Sequence, residues 1–145
     1  MAQSFVIARN YGQNPAPGRH PVKLDANVNA EIGNMLVQVA GYGRVPAVAN
    51  AATGHMAGIV LEPYDNTGGA QGAGSCVVDS ITAYFANDNT NPCTQAHVGL
   101  TVYASSGTTI SSNSADGPPA GKLISFNSSN QQGRSCEVAL NCFTS

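Results

Sequence analysis

The chain has 145 residues, which is the size of one ordinary domain and is long enough to bury a hydrophobic core of its own. Only 10% of its residues are Asp, Glu, Lys or Arg, against about 25% in a typical soluble domain, and the formal net charge is -2. The six basic residues are scattered and no apolar run approaches the ~20 residues of a membrane-spanning helix. We therefore expect neither nucleic-acid binding nor membrane insertion.

Residues 1–25 are interpreted as an extended N-terminal arm. Several prolines hold this stretch extended, and an apolar patch near its start favours an arm that docks on a partner over a disordered tail. The start lacks the basic residues and long apolar middle of a signal peptide, so we expect synthesis in the cytoplasm. The candidate contact residues of the arm are Phe5, Val6, Ile7, Arg9, Tyr11, Pro15, Pro17 and Arg19.

Short apolar segments separated by turn residues follow the arm and predict a single all-β domain over residues 26–145. Gly and Pro occur 16 and 8 times, which is too often for long helices. About seven or eight short strands of this kind indicate a small β-barrel or β-sandwich. The clearest predicted strands are 35–40, 56–61, 76–85, 100–104, 109–110, 121–126 and 135–141, of which 76–85 is the longest.

Two parts of the chain resemble each other. The sequence Ala-Glu-Ile-Gly at 30–33 matches Ala-His-Val-Gly at 96–99, and an alternating strand follows each. An Ala-Gly pair, at 57–58 and again at 120–121, then opens a further apolar strand. These matches favour two similar β-units, an internal repeat of 30–62 and 96–126, although Ala and Gly are common enough here for chance to be the alternative.

The four cysteines form no C-x-x-C pair, which excludes zinc-ribbon and thioredoxin-like motifs. Cys136 and Cys142 share one face of the last predicted strand with two apolar residues, so Cys136 is interpreted as a small buried hydrophobe. The sequence leaves open whether any of the four forms a disulfide. They are Cys76, Cys93, Cys136 and Cys142.

No motif for catalysis or cofactor binding is evident. His20, His55 and His97 are far apart, and the chain has neither a G-x-S-x-G elbow nor a phosphate loop ending in G-K-[ST]. A small hydrolase would need a cleft that joins His55 or His97 to a carboxylate and a hydroxyl. Asp88 lies among asparagines and is interpreted as a turn residue rather than a calcium ligand. We expect no enzyme, no cofactor and no metal site.

The order of motifs after Thr94 resembles the carboxyl-terminal half of phage capsid cement proteins, also called head decoration proteins. The resemblance is looser upstream and covers residues 28 to 141, and the chain departs from the family in having no tryptophan in the last strand and a long Pro-rich arm. The motifs are Gly99-x-x-Val102-Tyr103, Thr108-Thr109-Ile110, the strand opened by Ala120-Gly121-Lys122, and the closing apolar strand 136–140.

The resemblance implies a β-barrel-like protein on the outer capsid surface of the virion, where it binds the major capsid protein and clamps neighbouring subunits of the icosahedral head. It also implies a homo-oligomer, with a trimer favoured. Low charge suits this role because it weakens repulsion between identical neighbours. The alternative is a carbohydrate- or receptor-binding β-module on a virion or cell surface, with stacking residues drawn from Tyr42, Tyr64, Tyr84 and Tyr103.

Overall fold

The computed structural model describes residues 19–127 and 133–140, which form twelve strands, two short 3-10 turns and no α-helix. The prediction of an all-β fold is confirmed. The 3-10 turns lie at Val48–Asn50 and Gln95–His97. The strands are β1 His20–Lys23, β2 Asn29–Ala30, β3 Met35–Val39, β4 Tyr42–Arg44, β5 His55–Glu62, β6 Tyr64–Asp65, β7 Ser75–Asp79, β8 Thr82–Asn87, β9 Thr101–Ala104, β10 Thr109–Ser111, β11 Pro119–Phe126 and β12 Cys136–Leu140.

The first unit of the fold is a five-stranded sheet in the order β1-β7-β5-β3-β4, and β2 and β6 form a separate two-stranded ribbon. The two edge strands curl towards each other, because Leu24 makes a parallel bridge to Gly43 and the N–H of Asp25 donates to the Gly43 carbonyl at 3.0 Å. The sheet encloses a core of its own, made of Val22, Leu24, Ala30, Leu36, Ala57, Val60, Cys76 and Val78.

The second unit is a closed five-stranded barrel in the order β10-β8-β12-β11-β9. Its circle closes through a parallel pair, in which Thr109 of β10 lies opposite Ala86 of β8. A closed barrel leaves no free strand edge for pairing with another chain. Its buried side chains include Phe85, Val102, Ala104, Ile110, Leu123, Cys136 and Val138.

The two units repeat the same scheme of strand pairing. Starting from β1, the first runs β1, β7, β5, β3, β4, and starting from β8, the second runs β8, β12, β11, β9, β10. Each antiparallel pair in one unit has an antiparallel counterpart in the other, and the parallel contact of β1 with β4 matches that of β8 with β10. This agreement supports the interpretation of two similar β-units.

Individual hydrogen bonds also correspond. The N–H of Gly33 donates to the carbonyl of Val60 at 2.9 Å, and the N–H of Gly99 donates to the carbonyl of Leu123 at 2.8 Å. In the two Ala-Gly pairs, Gly58 and Gly121 have φ of 141° and 154°. Each lies opposite the second residue of a neighbouring strand, which is β3 for Gly58 and β9 for Gly121. L-residues with a side chain rarely adopt that conformation, which explains why glycine stands at both positions.

The units pack on each other through the outer side of β3 and β5. Met35, Val37, Met56 and Ile59 point away from the core of the first unit and form one apolar cluster with the buried residues of the second barrel. The N–H of Met35 also donates to the carbonyl of Gly107 in the β9–β10 connection, at 2.7 Å. The two units therefore share a continuous hydrophobic layer.

The matching side of the second barrel is turned to solvent instead. The bond from Gly33 to Val60 is equivalent to the bond from Gly99 to Leu123. The same alignment makes Thr101, Tyr103 and Lys122 the counterparts of Met35, Val37 and Ile59. Thr101 and Lys122 are exposed and Tyr103 is half-buried, whereas all three residues of the first unit are buried. The inward-facing neighbours, by contrast, stay apolar in both units.

Three sequence expectations need correction. The predicted strand 76–85 is wrong as one element, because Ser80-Ile81 separates β7 of the first unit from β8 of the second. The predicted strands also lack β4: Ala40 and Gly41, with φ of 52° and 90°, make a two-residue hairpin turn that leads directly from β3 into this strand. Finally, the arm is shorter than residues 1–25, because His20–Lys23 is strand β1 and pairs with β7.

Candidate functional site

Most of the predicted contact arm falls outside the described residues: this applies to Phe5, Val6, Ile7, Arg9, Tyr11, Pro15 and Pro17. Arg19 is the exception, and it is exposed directly before β1. The chain enters the first unit at this point, since β1 is an edge strand that pairs with β7.

An exposed surface with both polar and apolar groups lies on the second barrel. We call it the β8–β12–β11 face and define it by Tyr84, Glu137, Ser125, Ile124 and Lys122. Glu137 lies opposite Tyr84 on one side and opposite Ser125 on the other, and the Ser125 hydroxyl donates to Glu137 Oε1 at 2.7 Å. Tyr84 is 52% exposed and Ile124, at a bulge in β11, is 48% exposed. An aromatic ring and an aliphatic group beside satisfied polar groups are typical of protein interfaces.

A second row of residues runs beside this face across four strands. Thr82 of β8 lies opposite Ala139 of β12. Ala139 lies opposite Lys122 of β11 on its other side, and Lys122 lies opposite Thr101 of β9. Exposed apolar side chains precede both ends of the row, namely Ile81 and Leu100. Four of the eight exposed large hydrophobic residues of the described chain thus belong to this part of the second barrel. A patch of this kind is a candidate contact surface for another protein.

A polar groove of about 760 Å³ opens at the other end of β8, β9 and β10. Asp88 Oδ2 accepts from the N–H groups of Thr90 and Asn91 at 3.0 and 2.8 Å, so this carboxylate shapes the turn after β8. Asp116 Oδ2 accepts from the Ser111 hydroxyl at 2.6 Å and from the Asn91 amide at 2.9 Å. These hydrogen bonds lower the pKa of Asp116. The lining residues are Val48, Ala86, Asn87, Asp88, Asn89, Thr90, Ser105, Ser106, Thr109, Asp116 and Gly133.

The histidines that the hydrolase alternative would need do not line this groove, as far as the described residues form it. His97 lies on the 3-10 turn, where its Nδ1 accepts from the N–H of Thr94 at 2.9 Å, while His20 and His55 begin β1 and β5. The described residues also hold no group of three or more His, Cys, Asp or Glu that could bind a metal ion. The absence of an enzyme activity stays a prediction.

The four tyrosines that the sequence analysis names as stacking residues are divided between the two units and do not share one face. Tyr64 packs its ring over Gly74, and Tyr42 lies beside Gly72 in the same part of the first unit. Tyr84 and Tyr103 lie on β8 and β9 of the second barrel. None of them lines the polar groove. These four residues therefore do not form one common stacking surface.

Three cysteines lie in the described residues, all buried and all with free thiols. Cys136 lies on the inner side of β12 with Val138 and Leu140, which confirms its interpretation as a buried residue; Cys142 lies outside the described residues. Burial raises the pKa of Cys76 to about 11. Cys93 and Cys136 contact each other within the core of the second barrel, a juxtaposition that their separation in sequence does not reveal.

No protein-family model, curated protein or solved structure matches the chain. Within the described residues, no helix has the length and apolar character needed to cross a membrane.

Proposed function

We propose that this chain is a structural virion protein that binds the outer surface of an icosahedral phage capsid and clamps neighbouring major capsid subunits. The observation that carries the proposal is the placement of the motifs that resemble cement proteins. They fall in the same order on β9, β10, β11 and β12, which are four of the five strands of one closed barrel. Motifs gathered in one folded unit are better support than motifs scattered over several.

The exposed surface of that barrel supports the same proposal. The β8–β12–β11 face offers Tyr84 and Ile124 as apolar anchors, beside a Glu137–Ser125 pair whose hydrogen bonding is already satisfied. Only 10% of the residues carry charge, so copies can lie close together without strong repulsion. About 800 Å² of buried surface per partner is enough for a specific contact, and repetition over a lattice strengthens it through avidity.

A clamp also needs contacts in two places. The N-terminal arm is continuous with the first unit at Arg19, and the β8–β12–β11 face belongs to the second unit. One molecule can thus engage one capsid subunit with its arm and another with its face, and self-association as a trimer multiplies these contacts. The partners in this proposal are the major capsid protein and further copies of the chain.

The deciding experiment uses the full-length protein and phage heads. We expect the protein to be recovered with intact heads and to be resolved on their outer surface by cryo-electron microscopy. Heads that lack it should release their DNA at a lower temperature and regain stability when the purified protein is added. Recovery of the protein only in the soluble fraction, with no change in head stability, would contradict the proposal.

A carbohydrate- or receptor-binding module is the second candidate, and the polar groove is the observation that favours it. The amide of Asn89 and the hydroxyls of Thr90 and Ser106 can hydrogen-bond a polyol, although no aromatic ring from the described part of the chain lines the groove. Glycan-array binding that is lost in Asn89→Ala but kept in the face variant Tyr84→Ser would support this candidate. No binding to any glycan would remove it.

A further inference from the structure

Contacts with strand β8 position both Cys93 and Cys136. Cys136 of β12 lies directly opposite Phe85 of β8. Two residues further along β8, the Asn87 side chain binds the Cys93 backbone twice: its amide donates to the Cys93 carbonyl at 3.0 Å, and its Oδ1 accepts from the Cys93 N–H at 2.7 Å. The backbones of both cysteines are therefore held in place relative to β8, although Cys93 lies in an irregular segment.

The two thiols meet inside the barrel. Both residues belong to the same core cluster, with exposures of 1% and 0%, and their side chains interact with each other. This interaction lowers the pKa of Cys93 and raises that of Cys136. Cys93 is thus the thiol that more readily becomes the nucleophilic thiolate.

The first unit provides an internal comparison. Cys76 lies opposite Val22 in β1, just as Cys136 lies opposite Phe85 in β8, so the two cysteines occupy equivalent places. Among the described residues, the core around Cys76 contains Ala30 and Val78 but no second cysteine. Burial as a small apolar residue is enough to explain Cys76. It does not explain why the second unit alone places two thiols in contact.

We propose that Cys93 and Cys136 are a latent disulfide, a modification site that a low-molecular-weight disulfide converts into a covalent link between β12 and the segment that follows β8. The Cys93 thiolate first attacks one sulfur of the reagent, forms a mixed disulfide and releases one small thiol. The Cys136 sulfur then attacks the Cys93 sulfur and displaces the second small thiol. The protein loses two hydrogen atoms and two electrons, and the reagent is reduced to two thiols that carry the protons.

The disulfide would stabilise the folded second barrel. The link would close a loop over residues 94–135, which carry β9, β10 and β11, and so would restrict the unfolded chain. Because both thiols are buried, a reagent reaches them only when the barrel opens locally. The thiols therefore remain reduced in a reducing cytoplasm and become linked after release into an oxidising medium. This inference does not depend on binding to a capsid.

The test is oxidation of the purified full-length protein with oxidised glutathione under native conditions, followed by peptide mapping and thermal unfolding. We expect one main cross-link, between the peptides that contain Cys93 and Cys136, and a rise in Tm of roughly 10 °C that a reductant reverses. Cys76→Ala is the matched control and should behave as the wild type, whereas Cys93→Ala should show no rise in Tm.

Peptide mapping of the wild-type protein keeps the test decisive even if a variant folds poorly. A main cross-link that involves Cys142, or that joins two molecules, would overturn the proposal. So would a Cys93–Cys136 link that forms only in urea, or one that leaves Tm unchanged.

Discussion

Asp25 Oδ2 and Arg44 Nε form an ion pair of 2.6 Å at the place where the two edge strands of the first unit, β1 and β4, meet. A single parallel bridge joins the edge strands there, and Asp25 adds to it by accepting from the Ala26 N–H at 2.8 Å and from the Gln71 amide at 3.1 Å. Its carbonyl also accepts from Asn66 at 2.9 Å. Asp25 thus ties β1, β4 and the 66–71 loop together.

Asp25→Asn should destabilise the protein by about 1–3 kcal/mol, because the buried carboxylate loses its charge beside the half-exposed Arg44 and one of its accepting oxygens becomes an NH2 donor. Urea denaturation measures the change. Asp65→Asn is the control, since Asp65 is exposed and its side chain accepts from Thr67 within its own turn, and it should leave the free energy of unfolding nearly unchanged. Equal effects of the two substitutions would refute the closing role of Asp25.

Acid should weaken the same closure. The hydrogen bond from Arg44 is the largest cause that lowers the pKa of Asp25 below its ordinary value of 3.8. A carboxylate whose pKa is lower in the folded state stabilises the protein above the unfolded-state pKa, and this contribution is lost as pH falls through the folded-state pKa. Wild-type stability should therefore decline from about pH 4 downward. The decline should be shallower in Asp25→Asn, and identical slopes would count against this explanation.

Gly58→Ala should be more damaging than its small size suggests. An added Cβ would lie 2.5 Å from the carbonyl oxygen of Asp79, at a φ of 141°. We expect a loss of roughly 2–4 kcal/mol, from backbone strain together with the clash. Gly68→Ala is the control, because Gly68 also has positive φ, at 79°, but has open space around it; it should lose only about 1 kcal/mol. Calorimetry of the two variants separates the clash from the strain.

The β8–β12–β11 face should carry capsid attachment if the proposed function is correct. The double variant Tyr84→Ser and Ile124→Ser removes its two apolar anchors and should weaken binding to phage heads by at least about tenfold. The pair Ile32→Ser and Tyr64→Ser removes exposed apolar groups from the first unit and serves as the control. Co-sedimentation measures both, and head binding by the Tyr84/Ile124 variant at wild-type level would exclude this face.

The arm can be tested without disturbing the fold. Deletion of residues 1–18 removes the predicted contact residues except Arg19 and leaves β1 intact. We expect unchanged thermal unfolding and reduced occupancy on heads. Deletion through residue 24 is less informative, because it would also remove Val22 and Leu24 from the core. Full occupancy of the shorter truncation would dismiss the arm as a contact.

The sequence predicted the parts of the fold that depend on local backbone requirements. The glycines at 33, 58, 99 and 121 mark turns and close approaches, so the repeat was detectable from them. A further match, Ser75-Cys76-x-Val78 with Ser135-Cys136-x-Val138, falls on the equivalent strands β7 and β12.

Other features depend on how distant segments meet, and no local pattern encodes them. Ser80-Ile81 has no glycine or proline, so nothing marks the passage of the chain from one unit to the other. The contact of Cys93 with Cys136 arises only when β12 pairs with β8. The polar groove likewise requires three strand ends to be brought together.

Met35, Val37 and Ile59 differ from their counterparts Thr101, Tyr103 and Lys122 in what they offer to a further unit or molecule. Had the second triplet stayed apolar, its surface could recruit the next molecule in the way the first unit recruits the second, and growth into filaments would follow. Polar residues on the outer side of a repeat oppose such head-to-tail stacking. This side of the second unit is therefore protected against open-ended growth, and contacts between copies would have to use other surfaces.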